Sequence, residues 1–202
     1  MKKQIIQTAA LSAFILSSPC LAAPSIQYGV NQTINLLPNA ADQEISFFIS
    51  GITTPAIGLE FDIQVGDGGI DLGGDNTGPV ITHIDLISNT IFADGSPTQT
   101  DVVTFDLARQ STIDVVSTVL EDGLLATVTF STVGMDSGSY DLLLSGVAGS
   151  FNTDLFDSIG NPLSITAPNG TINVIPEPLA IVFCLLLSPY LLLQRDPIRL
   201  KC

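Results

Sequence analysis

The stretch LEFDIQV, Leu59–Val65, is the clearest structural signal in this 202-residue chain. Apolar residues occupy every second position, and acidic or polar residues lie between them. Successive side chains of a β-strand point to opposite faces, so this alternation predicts an antiparallel strand with one face on a core and the other in water. The predicted buried positions are Leu59, Phe61, Ile63 and Val65, and the predicted exposed positions are Glu60, Asp62 and Gln64.

The same alternation recurs on both sides of this stretch. Gly134–Gly138 has the composition of a turn, and Tyr140–Leu144 is predicted to return from it as the partner of the preceding strand. The β-branched residues of Ser111–Leu120 also favour extended structure. Short strands separated by Gly, Pro, Asn and Asp predict an all-β fold, a single antiparallel β-sandwich. The further predicted strands are Ile45–Ile49, Val103–Leu107, Ala126–Phe130 and Thr171–Val174.

The first 22 residues have the pattern of a secretory signal peptide. Lys2 and Lys3 precede the apolar stretch Ile5–Leu16, and small residues at Cys20 and Ala22 suit cleavage after Ala22. Cys20 could also be read as a lipoprotein cysteine, but the proline in front of it does not fit that motif. The sequence therefore predicts export.

The last 27 residues form a second distinctive segment. Pro176-Glu177-Pro178 is followed by the uncharged apolar run Leu179–Leu193 and by a basic end with Arg195, Arg199 and Lys201. As a helix the apolar run would reach about 22 Å, short of the bilayer hydrocarbon core of about 30 Å. The basic end favours retention on the cytoplasmic side. The segment therefore predicts a run that can enter a membrane but would be a poor permanent span.

This tail resembles the PEP-CTERM sorting signal of Gram-negative bacteria. The resemblance implies that Pro176, Glu177 and Pro178 are the sorting motif, and that an exosortase-type processing enzyme removes the tail. An ordinary C-terminal membrane anchor is the alternative. The predicted organisation is a signal peptide at 1–22, a β-sandwich domain at 23–175 and a sorting tail at 176–202.

The predicted domain is strongly acidic and lacks thiols. Its one basic residue, Arg109, stands against 18 acidic residues, a net charge of −17, and the cysteines all lie outside it at Cys20, Cys184 and Cys202. Such a charge repels nucleic acid and anionic membrane surfaces and attracts divalent cations. We therefore expect no nucleic-acid partner and a fold held together by its core without disulfides.

Parts of the predicted domain are similar to cohesin-type domains. The similarity lies in Ile57–Ile63, Gly123–Phe130 and Gly138–Leu142. Cohesins are nine-stranded jelly-roll sandwiches that share their architecture with bacterial carbohydrate-binding modules, and they bind dockerins through one sheet face. The resemblance implies a cohesin-like sandwich, and it identifies no residue that would bind a dockerin.

Catalytic chemistry is sparse in the predicted domain. His83 is the only histidine, and its strand pattern places it on the solvent side with Asp85, so a zinc site is excluded and a Ser-His-Asp triad is disfavoured. The chain has no tryptophan, and Tyr28 and Tyr140 are the only tyrosines of the domain, so stacking of sugars on aromatic platforms has little support. We therefore expect a protein that is not an enzyme.

The glycine-rich stretch Gly66–Asn76 is the one candidate metal site. Asp67, Asp71, Asp75 and Asn76 supply oxygen ligands of the kind that Ca²⁺ prefers, and the glycines permit tight turns. The spacing of the acids does not match an EF-hand. A solvated acidic loop is the alternative, and no other cofactor is expected.

Together these features predict a non-enzymatic structural or adhesive protein. It would be exported, anchored in the inner membrane as a precursor, and then delivered to the cell surface or to an exopolysaccharide or biofilm matrix of a Gram-negative bacterium. Its expected partners are the processing enzyme and a polysaccharide or another surface protein. A carbohydrate-binding module acting on soluble glycans is the main alternative, and a secreted hydrolase is a third.

Overall fold

The computed structural model describes residues 23–68, 78–93, 96–104, 107–113, 118–147 and 151–176, and all regular structure within them is β. No helix in these ranges is long and apolar enough to cross a membrane. The strands are β1 (Ser25–Tyr28), β2 (Thr33–Leu36), β3 (Gln43–Ser50), β4 (Gly58–Val65), β5 (Val80–Asp85), β6 (Ser96–Thr104), β7 (Leu107–Ile113), β8 (Gly123–Ser131), β9 (Gly138–Leu143), β10 (Ser145–Val147), β11 (Phe151–Asn152), β12 (Asp154–Phe156), β13 (Pro162–Leu163) and β14 (Gly170–Val174).

Two sheets form the sandwich that the alternation predicts. The smaller sheet has the order β1-β3-β8-β5 and is antiparallel throughout. The larger sheet has the order β13-β12-β4-β9-β14-β2, with β7 and then β6 added to β4. Its pairs are antiparallel except that β14 runs parallel to β2. β10 and β11 form a separate two-stranded hairpin.

The core lies between the inner faces of these sheets. Phe47 of β3 contacts Phe61 of β4 edge to face, with ring centroids 5.4 Å apart, and Tyr28 of β1 lies 4.9 Å from Phe47. The Phe47–Phe61 contact joins the two sheets, and the Tyr28–Phe47 contact lies within the smaller sheet. Phe130 is also fully buried, and the other core side chains are mostly aliphatic, among them Ile49, Leu59, Ile63, Val65, Val128, Leu142 and Ile172.

The prediction for Leu59–Val65 is confirmed for the apolar residues and wrong for two polar ones. Leu59, Phe61, Ile63 and Val65 face the core, but Asp62 is only 1% exposed and Gln64 only 5%. β4 is an internal strand, with β7 along one edge and β12 and β9 along the other, and β10 and β11 lie against it. An internal strand is covered on both faces more often than an edge strand, so period-two alternation alone overestimated the exposure of Asp62.

The predicted pairing of Tyr140–Leu144 with the preceding strand is wrong. β8 belongs to the smaller sheet, whereas β9 crosses to the larger sheet and pairs with β14 and β4. The crossing begins at the fully buried Thr132. Its N–H donates to the Ala40 carbonyl at 2.8 Å, and its hydroxyl donates to the Leu37 carbonyl at 2.6 Å. These bonds hold the chain beside the 37–40 loop and direct it away from β8.

Two further strand predictions need correction. Val103–Leu107 is not one strand, because β6 ends at Thr104, β7 begins at Leu107, and the two residues pair with each other as antiparallel partners. In β5 a bulge between Ile81 and His83 shifts the alternation, so Ile81 and Ile84 both face the core. The alternation of Val80–Leu86 predicts Val80 on the buried face with Ile84, but in the structure Val80 is half-buried.

Candidate functional site

The structure describes one of the four predicted calcium ligands. Asp67 is exposed in the turn that follows β4, where Gly66 and Gly68 adopt positive φ angles of 56° and 85°. The Gly66 N–H donates to the Asp141 carbonyl at 2.8 Å, which fixes the start of this turn beside β9. Asp71, Asp75 and Asn76 lie outside the described residues. Within the described ranges no three His, Cys, Asp or Glu side chains form a metal-binding group, so the calcium site stays a prediction.

The sorting motif begins where the sandwich ends. The Ile175 N–H donates to the Leu36 carbonyl at 2.9 Å, just beyond the last residue of β14, and Pro176 is exposed next to it. Glu177, Pro178 and the apolar run lie outside the described residues. The exposed position of Pro176 is compatible with access by a processing enzyme.

His83 lies on the solvent side of β5, as the sequence predicts. Its Cα partner in β8 is Thr129, and Asp85 occupies the same face. The Asp85 carboxylate accepts hydrogen bonds from the N–H groups of Ser88 at 2.8 Å and Ile87 at 2.9 Å, closing the turn after β5. Burial raises the pKa of the Asp85 carboxyl, but hydrogen bonds from Ser88 and Ile87 outweigh it and hold the pKa below its ordinary value. The carboxylate thus has a structural role in this turn.

The outer face of the smaller sheet presents an exposed aromatic ring. Phe48 of β3 is 49% exposed and lies opposite Gln27 of β1 and Leu124 of β8. Ser46 and Thr127 continue the same face, so the ring lies beside Leu124 on a surface that is otherwise polar. Aromatic side chains that project from a polar surface are frequent energetic centres of protein interfaces. We name this surface, formed by Gln27, Ser46, Phe48, Leu124 and Thr127, the Phe48 face.

Thr153 fills a gap in the larger sheet that no sequence signal reveals. β12 pairs with β4 at Gly58–Glu60 and β9 pairs with β4 at Gln64–Val65, so neither strand reaches the backbone of Asp62. The buried Thr153 hydroxyl accepts a hydrogen bond from the Asp62 N–H at 3.1 Å and donates one to the Asp62 carbonyl at 2.9 Å. A single hydroxyl thereby takes the place of a neighbouring strand.

A cleft of about 650 Å³ lies beside this gap. One wall carries Ser145, Asn152 and Asp154, and the other is the chain between Pro162 and Ala167. Burial raises the pKa of the Asp154 carboxyl. Sequence analysis did not single out this region, because its residues come from three separate segments with no recognisable motif.

Comparison with known proteins identifies the fold. No family model and no curated protein matches the chain. Among solved structures, a non-cellulosomal cohesin from Archaeoglobus fulgidus is 16% identical with a TM-score of 0.54, covering 80% of this chain and 98% of that one. The cohesin CaCohA2 from Clostridium acetobutylicum is 17% identical with a TM-score of 0.54, covering 75% and 90%.

A third solved structure is the cohesin of the Coh-OlpC-Doc435 complex from Clostridium thermocellum, described as a type I cohesin–dockerin complex. It is 10% identical with a TM-score of 0.53, covering 76% of this chain and 94% of the cohesin. Together these similarities show that the chain has a cohesin-like β-sandwich fold.

Proposed function

We propose that this protein is an exported, non-enzymatic binding module that engages a partner protein at the cell surface or in the extracellular matrix. The observation that carries the proposal is the cohesin-like sandwich, since two of the similar structures are cohesins in complex with dockerins. Its signal peptide and PEP-CTERM tail would bring the module to the surface of a Gram-negative cell. An exosortase-type enzyme would cut the tail near Pro176.

The carbohydrate-binding alternative has less support. Sugar binding on a flat surface needs exposed aromatic rings. Tyr28 is buried, and its hydroxyl donates to the Pro168 carbonyl at 2.9 Å, while Tyr140 packs against the core. Neither tyrosine of the domain is therefore available as a platform, which leaves Phe48 as the one largely exposed ring among the described residues. A hydrolase has still less support, because the described residues offer one solvent-side histidine whose neighbouring carboxylate closes a turn.

The Phe48 face is the surface on which we place the partner. A photo-crosslinking amino acid at position 48 in the native cell should trap a defined protein, whereas the same group at the exposed Asp141 of the larger sheet should not. The Phe48→Ser variant should lose the purified partner without losing thermal stability, because Phe48 lies outside the core. Crosslinks from position 141 alone would place the interface on the larger sheet. Crosslinks from neither position would contradict the placement of the partner on the Phe48 face.

Sorting through the tail is tested separately. Mass spectrometry of the protein from the surface fraction should find a C-terminus near Pro176–Pro178 and no peptide from Leu179–Cys202. In a strain without the processing enzyme, the same peptides should reappear in the inner-membrane fraction. Recovery of the intact C-terminus from the surface of the normal strain would instead indicate an ordinary membrane anchor.

A further inference from the structure

The cleft beside Thr153 forms where the β12–β13 hairpin opens. Near its turn the hairpin is regular, with Leu155 opposite Leu163 and the Asp157 N–H donating to the Asn161 carbonyl at 2.9 Å. Beyond Leu163 the chain leaves β12 and joins the smaller sheet, where the Thr166 N–H donates to the Pro24 carbonyl at 2.7 Å. The space of about 650 Å³ between the two diverging segments is in the size range of ligand-binding pockets.

One wall of the cleft has the geometry of an unpaired strand edge. From Leu163 to Ala167 the side chains alternate, because Leu163, Ile165 and Ala167 pack against the core while Ser164 and Thr166 are exposed. The Thr166 N–H donates to the Pro24 carbonyl, and the Thr166 carbonyl accepts from the Ile26 N–H at 2.9 Å. Both backbone groups of Thr166 therefore point to the side of β1. In an extended chain the adjacent residues direct their backbone groups to the opposite side, which here is the cleft.

The backbone groups of Ile165 and Ala167 are therefore the edge that the cleft exposes. Within the described residues neither forms a hydrogen bond. Exposed strand edges pair readily with an added extended segment. The four residues of Ser164–Ala167 would accommodate a strand of about four residues, or about 13 Å at about 3.3 Å per residue.

The other wall supplies the carboxylate of Asp154, which forms no hydrogen bond or ion pair within the described residues. The Cα partner of Asp154 in β4 is Glu60, so two acids face each other across this strand pair. Arg109 is the only basic residue between positions 23 and 175. Partial burial raises the pKa of the Asp154 carboxyl, and a lysine or arginine from outside would relieve that cost.

We infer that this cleft binds an extended peptide segment of a partner protein, which pairs with the Ser164–Ala167 edge as an added strand and places a lysine or arginine against Asp154. The inference rests on the proposed function in taking the partner to be a protein, but it uses a different surface from the Phe48 face. The net charge of the domain favours the same basic segment over an acidic one.

Binding is measured on the full-length protein with two synthetic peptides and one sugar. The first peptide is acetyl-Thr-Val-Lys-Val-Thr-amide, the second carries norleucine in place of lysine, and the sugar is maltohexaose. We expect the lysine peptide to bind at least tenfold more tightly than the norleucine peptide. Asp154→Asn should remove that difference. The control Asp136→Asn removes an exposed acid in the turn before β9, away from the cleft, and should preserve the difference.

Amide hydrogen exchange on the unaltered protein gives a second readout that does not depend on variants. Addition of the lysine peptide should slow exchange at Ile165 and Ala167, whereas Thr166, already bonded to Pro24, should change little. Equal affinity for the two peptides, or unchanged exchange at both amides, would overturn the inference. Binding of maltohexaose without peptide binding would overturn it in favour of a glycan cleft. Crosslinking from the Phe48 face is independent of all these results.

Discussion

At the scale of single residues, Thr153 shows how much a short side chain can contribute to a sheet. Its hydroxyl both accepts from and donates to the backbone of Asp62, which lies between the ends of two other strands. A buried peptide group without a partner is costly, so the sheet would carry a defect at this point without the hydroxyl. The Thr153 N–H also donates to the Leu144 carbonyl at 3.0 Å, which positions the side chain.

We expect Thr153→Val to destabilise the domain by about 2 to 4 kcal/mol, since it keeps the shape but leaves two buried backbone groups unbonded. Thr153→Ser retains the hydroxyl and should cost clearly less. Urea unfolding of the two variants measures the difference. A loss in Thr153→Ser as large as in Thr153→Val would mean that the methyl group contributes as much as the hydroxyl, and a larger loss in Thr153→Ser would contradict the role of the hydroxyl.

The two phenylalanines of β3 and β4 provide a matched test of the sandwich. Phe61→Asp places a carboxylate in the core, which costs several kcal/mol and should abolish cooperative unfolding. Phe48→Asp makes the same change at a half-exposed position and should alter stability by about 1 kcal/mol or less. Thermal melts followed by circular dichroism compare them, and the reverse order would mean that the faces of these strands are assigned wrongly.

At the scale of elements, the turn of the β12–β13 hairpin is held by one carboxylate. Asp157 accepts hydrogen bonds from the N–H groups of Asn161 and Ile159, both at 2.9 Å, and from the Asn161 side chain at 3.1 Å. The bonds from Asn161 and Ile159 hold the pKa of this carboxyl below its ordinary value. A carboxyl with a lowered folded pKa stabilises the fold above its unfolded pKa and loses that contribution as the pH falls through the folded pKa.

The turn should therefore loosen in acid before the sandwich does. We expect the hydrogen-exchange protection of the Ile159 and Asn161 amides to decline as the pH falls below about 4, where an ordinary aspartate begins to protonate. Asp157→Asn keeps an acceptor oxygen but cannot titrate, so protection in that variant should not depend on pH in this window. A decline of the same size in the variant would assign the effect to other acids.

Alternation predicted which side chains enter the core but not how the strands pair. Phe47, Phe61 and Val128 are buried as expected, because apolar burial depends on local pattern. The crossing from β8 to β9 depends on Thr132 and its bonds to Leu37 and Ala40, more than 90 residues away. Contacts between residues so far apart cannot be predicted from a local sequence pattern. The burial of Asp62 could not be predicted for the same reason.

At the scale of the whole molecule, the acidic charge sets the response to ions. Monovalent salt relieves repulsion among the acids according to ionic strength alone, whereas a bound Ca²⁺ adds a mass-action contribution. We expect millimolar CaCl₂ to raise the melting temperature more than NaCl of equal ionic strength. The added stability would be about 2.7 kcal/mol at a hundredfold excess over the dissociation constant.

The double variant Asp67→Asn/Asp71→Asn tests whether the glycine-rich loop is the site where calcium stabilises the domain. If the glycine-rich loop binds the ion, the double variant should melt at the same temperature in the two salts. Coincident curves for the unaltered protein would make the loop a solvated acidic turn. An undiminished calcium effect in the double variant would place the site elsewhere.

Candidate sites were less predictable than the fold. The sequence indicated the sorting motif and the calcium loop because both are contiguous, and the structure describes only Pro176 and Asp67 of these. The cleft and the Phe48 face arise from segments that meet only in the sandwich. Phe48 could have been noticed as an apolar residue in the polar phase of the Ile45–Ile49 strand, whereas Asp154 follows no pattern that marks it.

The position of β14 between β9 and β2 bears on when the domain can fold during synthesis. β14 is the last strand before Pro176 in the sequence. In the larger sheet it lies between β9 and β2 and pairs with both. A chain delivered with its N-terminus first would hold β2 and β9 without their shared neighbour until residues 170–174 emerge. The β9–β14–β2 end of the larger sheet therefore cannot form until almost the whole domain has been delivered.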